Sequence, residues 1–349
     1  MAIVYPEYSV DAEIEAFFNK TSTTRAACDV KAREIAGGNV VPVAVQGVCS
    51  YSVYAGPELE FVVQFRLESL ALKTEVTSHV TEVYGPLAPK VSFEGKIGEP
   101  EGEGEPLYVY LMTRVRGVTH LDFILAHNVP ENSPDSFSWR NNLISDIAHF
   151  MALSWKAPRP VSEEYRGNLK RAYIRDLQAL YSALPARFQP IIQTCIDSME
   201  NILRLPMVIL HRDFGSCNIL VDEVTCHLVG VIDWAEAEVC PFGLNLHSLQ
   251  AMTGKLHLRN GWTRFEDYDS LQDVFWERFT REIGGLSDDQ LRTIKLARAL
   301  GLLLSRGFTS RLANEPEPRP IGDDEGGRYN MMSLDGFLID PRTKFDGLE

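Results

Sequence analysis

An α+β fold is what this sequence predicts, with a small strand-rich first part and a larger, mainly helical second part. Three observations carry the expectation. Between 39 and 66, and again at 107–112, β-branched and aromatic residues alternate with turn formers, as strands do. Beyond 117, apolar residues recur at three- and four-residue spacing through long segments, as buried helix faces do. Three short apolar runs, near 207–210, 219–221 and 228–232, interrupt that helical part. At 349 residues the chain is long enough for two lobes. The expected boundary lies near 116, giving an N-terminal lobe over 1–116 and a C-terminal lobe over 117–349.

The elements follow in order. Residues 9–20 and 24–36 read as helices. Ser9 can cap the first, with Asp11, Glu13 and Glu15 near its positive end, and Gly37-Gly38 ends the second. Strands are expected over 40–45, 47–54 and 59–66, and a helix over TEVTSHVTEVYG from Thr74. EGKIGEPEGEGEP, 94–106, reads as a loop. Leu107–Met112 reads as a buried strand leading into Thr113-Arg114-Val115-Arg116-Gly117. In 138–156 a buried stripe of Ile144, Ile147, Met151 and Trp155 predicts a helix, with His149 in a structural role. Further helices are expected near 169–183, 186–203, 268–283 and 288–306. The polar Pro/Gly segment 314–328 reads as a loop or partly disordered tail.

Composition removes several classes of function. A net charge of −14 argues against a general nucleic-acid binder and against an anionic membrane surface. A cationic small-molecule substrate is compatible with it. The N-terminal stretch has no basic region ahead of an apolar core, so no signal peptide is expected, and no apolar run is long enough to span a bilayer. Six scattered cysteines without a CxxC pair point to a reducing, cytoplasmic setting with no structural zinc. A monomer or a homodimer is expected, the first two helices being able to contribute a dimer contact.

The chemistry concentrates in MVILHRDFGSCNILVDEVTCHLVGVIDW, residues 207–234. Its pattern sets Asp213, Asn218 and Asp233 at the ends of short strands, where loops can gather them. Phosphoryl transfer from ATP needs an acceptor for the substrate hydroxyl's proton and ligands for Mg²⁺ on the phosphates. Mg²⁺ takes hard oxygens from one or two carboxylates, an amide and waters. Asp213 is the expected catalytic carboxylate, and Asn218 and Asp233 the expected metal ligands.

H-x-D-x-x-x-x-N followed by Ile232-Asp233-Trp234 resembles the catalytic signature of the aminoglycoside phosphotransferase and choline kinase family. The resemblance implies a bilobal protein-kinase-like fold and a small-molecule phosphotransferase, here taken as fungal-type, that moves the γ-phosphate of ATP to a hydroxyl. It also assigns the remaining candidates. Gly47, Ser50 and Ser52 match a degenerate loop over ATP. Arg66 stands on the strand that offers a cation to the phosphates, with Gln64 and Lys73 as alternatives and Glu75 as its ion-pair partner. Thr113 and Val115 match the adenine-contacting hinge. Glu236 and Glu238 are substrate-pocket candidates. Asn245 departs from the family's usual aspartate, and is expected to brace the catalytic loop by hydrogen bonds without the charge. The competing expectation is a catalytically weak, pseudokinase-like binding protein.

Overall fold

The computed structural model describes residues 8–99, 104–127, 129–309 and 317–347. The expected loops at 94–106 and 314–328 lie partly outside them. The chain divides into two compact units, Met1–Thr81 with Pro89–Val115, and Glu82–Ala88 with Arg116–Glu349.

The first unit is built on an antiparallel sheet. Helices α1 (Val10–Phe18) and α2 (Arg25–Ala36) start where Ser9 and Thr24 accept hydrogen bonds from Ala12 N and Ala27 N. The strands are β1 (Asn39–Pro42), β2 (Ser50–Gly56), β3 (Phe61–Leu67), β4 (Val91–Ile97) and β5 (Leu107–Thr113), in the spatial order β1-β2-β3-β5-β4. Two-residue alternation gives the sheet its two faces. Tyr51, Val53, Ala55, Val63, Phe65 and Val109 form one core with Ile14, Phe17, Cys28 and Ala32 of the helices. The opposite face carries Ser50, Ser52, Gln64 and Arg66, with Ser52 opposite Gln64 and Ser50 opposite Arg66.

The sheet corrects one expectation. Residues 94–97 belong to β4, an edge strand with a register shift between Phe93 and Gly95. Glu94, Lys96 and this bulge disguise the strand as a loop. They are also what keeps an exposed edge from pairing with other chains.

Helix α3 (Thr74–Tyr84) follows a 3-10 turn at Glu68–Leu70. Its last residues, with 85–88, belong to the second unit rather than the first. Tyr84 accounts for this: its ring stacks on Phe150 at 4.2 Å and its hydroxyl donates to the Ile209 carbonyl at 3.0 Å.

The second unit opens with β6 (Val118–Thr119) and α4 (His120–Ala126), followed by α5 (Pro134–Lys156) and α6 (Glu163–Ala183). The single helix expected over 186–203 breaks at Ser198, whose φ of −91° and ψ of 3° leave the helical range, giving α7 (Gln189–Asp197) and α8 (Met199–Arg204). Next come β7 (Met207–Leu210), β8 (Ile219–Val221), β9 (Leu228–Val231) and β10 (Glu238–Pro241). A ribbon of β11 (Gly254–His257) and β12 (Gly261–Arg264) precedes α9 (Tyr268–Ile283), α10 (Asp288–Arg306) and α11 (Arg328–Leu338). Helices α5 and α9 are tied by Arg278, which reaches Ser145 Oγ and Asp146, and by His149, whose Nδ1 meets Glu282 at 2.7 Å. His149 is thus structural. Gly301 lets α10 approach the chain at Leu244 closely: a Cβ there would stand 1.7 Å from the Leu244 carbonyl oxygen.

Candidate active site

Two small antiparallel sheets hold the loop 211–218. β7 delivers the chain to His211 and pairs with β10, Leu210 lying opposite Glu238. β8 takes the chain away after Asn218 and pairs with both β6 and β9. All three strands flanking the loop are almost wholly buried apolar residues. Burial of β-branched side chains anchors both ends and leaves 211–218 to turn between them.

Inside that frame, His211 is 1% exposed. Its Nε2 donates to the Ile232 carbonyl at 2.8 Å, and its ring meets Trp234 edge-on at 4.8 Å. Burial lowers its pKa, so the ring is a neutral strut. The bond joins the start of the 211–218 loop to the residue just before Asp233. A second link does the same from the loop's far end, where Ile232 N donates to the Asn218 carbonyl at 2.9 Å. Asp213 and Asn218 touch directly. Asn218 Nδ2 donates to Asp213 Oδ2 at 2.9 Å and to the Asp213 carbonyl at 2.8 Å.

Asp213 and Asp233 are both exposed, in contrast with the buried strands around them. Asp233 adopts a left-handed conformation, φ 60° and ψ 64°. Aspartate tolerates that region better than most residues, and strained backbone of this kind clusters at functional sites. The side chains therefore fit a magnesium ion. Asn218 spends its Nδ2 on Asp213 and keeps Oδ1 for a cation, while Asp233 offers an open carboxylate. Among the described residues no three His, Cys, Asp or Glu side chains gather as a metal cage.

The other expected residues fare differently. In the first unit, Ser52 and Gln64 meet through Gln64 Nε2 and Ser52 Oγ at 3.3 Å. Arg66 is 7% exposed, donates from Nε to the Leu70 carbonyl at 2.9 Å, and lies 3.4 Å from Gln64 Oε1. Gln64 and Arg66 share this face, with Ser50 and Ser52 beside them. Gly47 sits in the turn between β1 and β2, where open space would accept a Cβ. That turn is held by Gln46, which bridges to Val43 and Ser52.

Glu75 is a correction. It is exposed on the first turn of α3, and no ion pair joins it to Arg66 among the described residues. The 3-10 turn at 68–70 presents a backbone carbonyl to the guanidinium in its place. Thr113 N already donates to the Lys90 carbonyl at 3.0 Å, so of the two hinge candidates Val115 has the freer backbone.

Glu238 is not an open substrate carboxylate, because its Oε2 meets Arg212 Nη1 at 2.6 Å. Glu236 is exposed, at the end of the 3-10 turn Trp234–Glu236. Asn245 does not brace the loop as expected. It is 4% exposed and its buried Oδ1 has no hydrogen-bond partner among the described residues. The Arg212–Glu238 pair and the contact of His120 with Ser216, at 3.1 Å, were not foreseen. Neither has a spacing signature, since each partner lies on a distant segment.

The phosphotransferase enzyme family (APH) matches residues 81–270, more than half of the chain. The chain belongs to this family. Its fold is protein-kinase-like, with a sheet in the first unit and a mainly helical second unit. Among solved structures it is similar to a presumed aminoglycoside phosphotransferase from Ralstonia eutropha, at 11% identity and a TM-score of 0.52, covering 89% of this chain and 96% of that one. It is also similar to choline kinase LicA from Streptococcus pneumoniae, at 10% identity and a TM-score of 0.49, covering 89% and 99%. Among curated proteins it is 29% identical over 209 residues to a probable serine/threonine-protein kinase, drkA, of Dictyostelium discoideum. That match covers 54% of this chain and 30% of the Dictyostelium protein. These relatives lend no support to the fungal-type refinement. No helix among the described residues is long and apolar enough to cross a membrane.

Proposed function

We propose that the protein is an ATP-dependent phosphotransferase that moves the γ-phosphate to a hydroxyl of a small molecule. The observation that carries this reading is the contact of Asn218 with Asp213 in a loop bonded to Ile232, beside Asp233. Asp213 accepts the proton of the acceptor hydroxyl and orients its oxygen toward phosphorus, a role worth roughly 10²–10⁴ in rate. Asn218 holds Asp213 in place through Nδ2. Asn218 Oδ1 and Asp233 would hold Mg²⁺, which when bound neutralises charge on the phosphate oxygens. In the first unit, Arg66 and the polar face around Ser50 and Ser52 are the proposed phosphate contacts, with Gly47 in the turn before them and Val115 at the adenine. Glu236, exposed at the end of the turn after Asp233, is a proposed acidic contact for a cationic acceptor.

The test is a panel of hydroxylated acceptors incubated with ATP and Mg²⁺, read by mass spectrometry for addition of one phosphate. Asp213→Asn and Asp233→Ala serve as controls. The reading predicts a phosphorylated product that both variants lose. Full turnover in either variant would remove the role given to that residue.

A weaker, pseudokinase-like protein is favoured by two observations: Arg66 is committed to a backbone carbonyl, and Asn245 Oδ1 is buried without a partner among the described residues. Stabilisation by Mg·ATP without turnover across the panel would support that alternative.

A further inference from the structure

We propose that His120 and Ser216 form a positioning pair that holds the catalytic loop in register between its base and its metal-binding amide. The inference rests on the phosphotransferase reading above for its kinetic part only.

Ser216 lies three residues after Asp213 and two before Asn218. The turn it belongs to is closed by two bonds to the Gly215 carbonyl, from Asn218 N at 2.9 Å and Ile219 N at 3.1 Å. These fix the turn's own shape but not where it sits. Its location is set from outside, by the Ile232 N bond to the Asn218 carbonyl at its end and by α4 at Ser216. Leu121 N donates to the Ser216 carbonyl at 3.1 Å, and His120 Nδ1 stands 3.1 Å from Ser216 Oγ. Ser216 is thus gripped through both backbone and side chain by adjacent residues.

The grip is rigid on the α4 side. Thr119 caps the helix by accepting from Asp122 N at 3.0 Å. Immediately before it, β6 pairs with β8, Val118 opposite Val221 and Thr119 opposite Leu220. The strand leaving the loop and the strand entering α4 are therefore one ladder. His120 is 6% exposed, and burial pushes its pKa down to about 4, so near neutral pH the imidazole is an uncharged hydrogen-bonding group. Asn218 must keep one amide atom on Asp213 and present the other to the metal. A small displacement of reacting groups is costly in rate, so a fixed Ser216 is a kinetic requirement.

The experiment compares wild type with His120→Ala, His120→Asn, Ser216→Ala and the double variant H120A/S216A. Asparagine is the conservative rescue, because its amide has a hydrogen-bonding atom where imidazole has Nδ1. ATP turnover is measured with Mg²⁺, together with amide hydrogen exchange of the segment 213–219. The pair predicts about a tenfold fall in kcat for each alanine variant, with KM for Mg·ATP within about twofold. The double variant should be no worse than either single one, because both remove the same contact. His120→Asn should recover most of the loss, and exchange of 213–219 should rise in the alanine variants alone. Additive losses, a change confined to KM, or a loss that His120→Asn does not restore would overturn the proposal. Ser216→Ala perturbs packing little, so wild-type turnover in that variant also overturns it. If the wild-type protein turns over no ATP with any acceptor of the panel described above, the phosphotransferase reading falls. Hydrogen exchange then decides alone, and unchanged exchange in the variants refutes the pair.

Discussion

Replacing Asn218 by aspartate separates its two roles. The variant keeps a hard oxygen for the metal but loses the Nδ2 donor, which lies 2.9 Å from Asp213 Oδ2. It also places a second carboxylate against the first. Two unit charges about 4 Å apart repel by ~1 kcal/mol in water and ~4 kcal/mol at the effective dielectric of a protein surface. Asp213 is exposed, so the lower half of that range applies. One pKa unit corresponds to ~1.4 kcal/mol, so the expected shift is about one to two units. Both effects disfavour the charged base, so activity is lost at higher pH as the solution is acidified. The assay is the pH dependence of kcat/KM, which reports groups of the free enzyme and so avoids neutralisation of the pair by bound metal. Asn218→Asp should move the acidic limb up by about one to two pH units and recover much of its turnover on the alkaline side. Asn218→Ala, which adds no charge, should fall at every pH with a smaller displacement. A profile for Asn218→Asp that overlays the wild-type one would show that these side chains do not face each other in solution.

Other outcomes follow from single features. Asp233→Gly should abolish turnover while changing stability by less than ~1 kcal/mol, because glycine relieves a left-handed backbone as it loses chain entropy; thermal unfolding and turnover together check this. Gly301→Ala should destabilise by ~2 kcal/mol or more, since the added methyl meets the Leu244 carbonyl and outweighs a helix-propensity gain of ~1 kcal/mol; a denaturant midpoint no lower than wild type would contradict it. His247 has its pKa pushed down to about 3 by burial, then by Arg306 and Arg212. Above about pH 6.5 the unfolded and folded forms are both neutral. Below it only the unfolded chain takes the proton, so stability falls as pH drops toward 3, by at most ~1.4 kcal/mol per pH unit. His247→Gln should flatten that part of the curve of melting temperature against pH, and parallel curves would oppose the assignment.

How much of this was legible in the sequence depends on whether the cause was local. The short strands β7, β8 and β9, next to which Asp213, Asn218 and Asp233 lie, were readable because apolar β-branched runs are marked by composition. The helices over 268–283 and 288–306 were readable from their long apolar stripes. β4 was not, because the glutamate, glycine and lysine at 94–96 that protect an edge strand are also loop residues. The grouping of 82–88 with the second unit was not legible either, because it depends on Tyr84 reaching Phe150 and Ile209, far along the chain. The same limit hid the Arg212–Glu238 pair: Glu238 reads as an acidic pocket residue until β7 and β10 bring Arg212 beside it. The Arg66–Glu75 pairing failed for a related reason. A carbonyl in a turn can satisfy an arginine as well as a carboxylate can, and sequence patterns do not announce carbonyls.

Electron paramagnetic resonance of Mn²⁺, bound in place of Mg²⁺ together with ADP, addresses the gathering of Asn218 and Asp233 around one ion most directly. One tightly held Mn²⁺ per chain is expected with nucleotide, lost in both Asn218→Ala and Asp233→Ala and retained in Glu238→Gln. Undiminished Mn²⁺ binding in both of the first two variants would contradict that gathering.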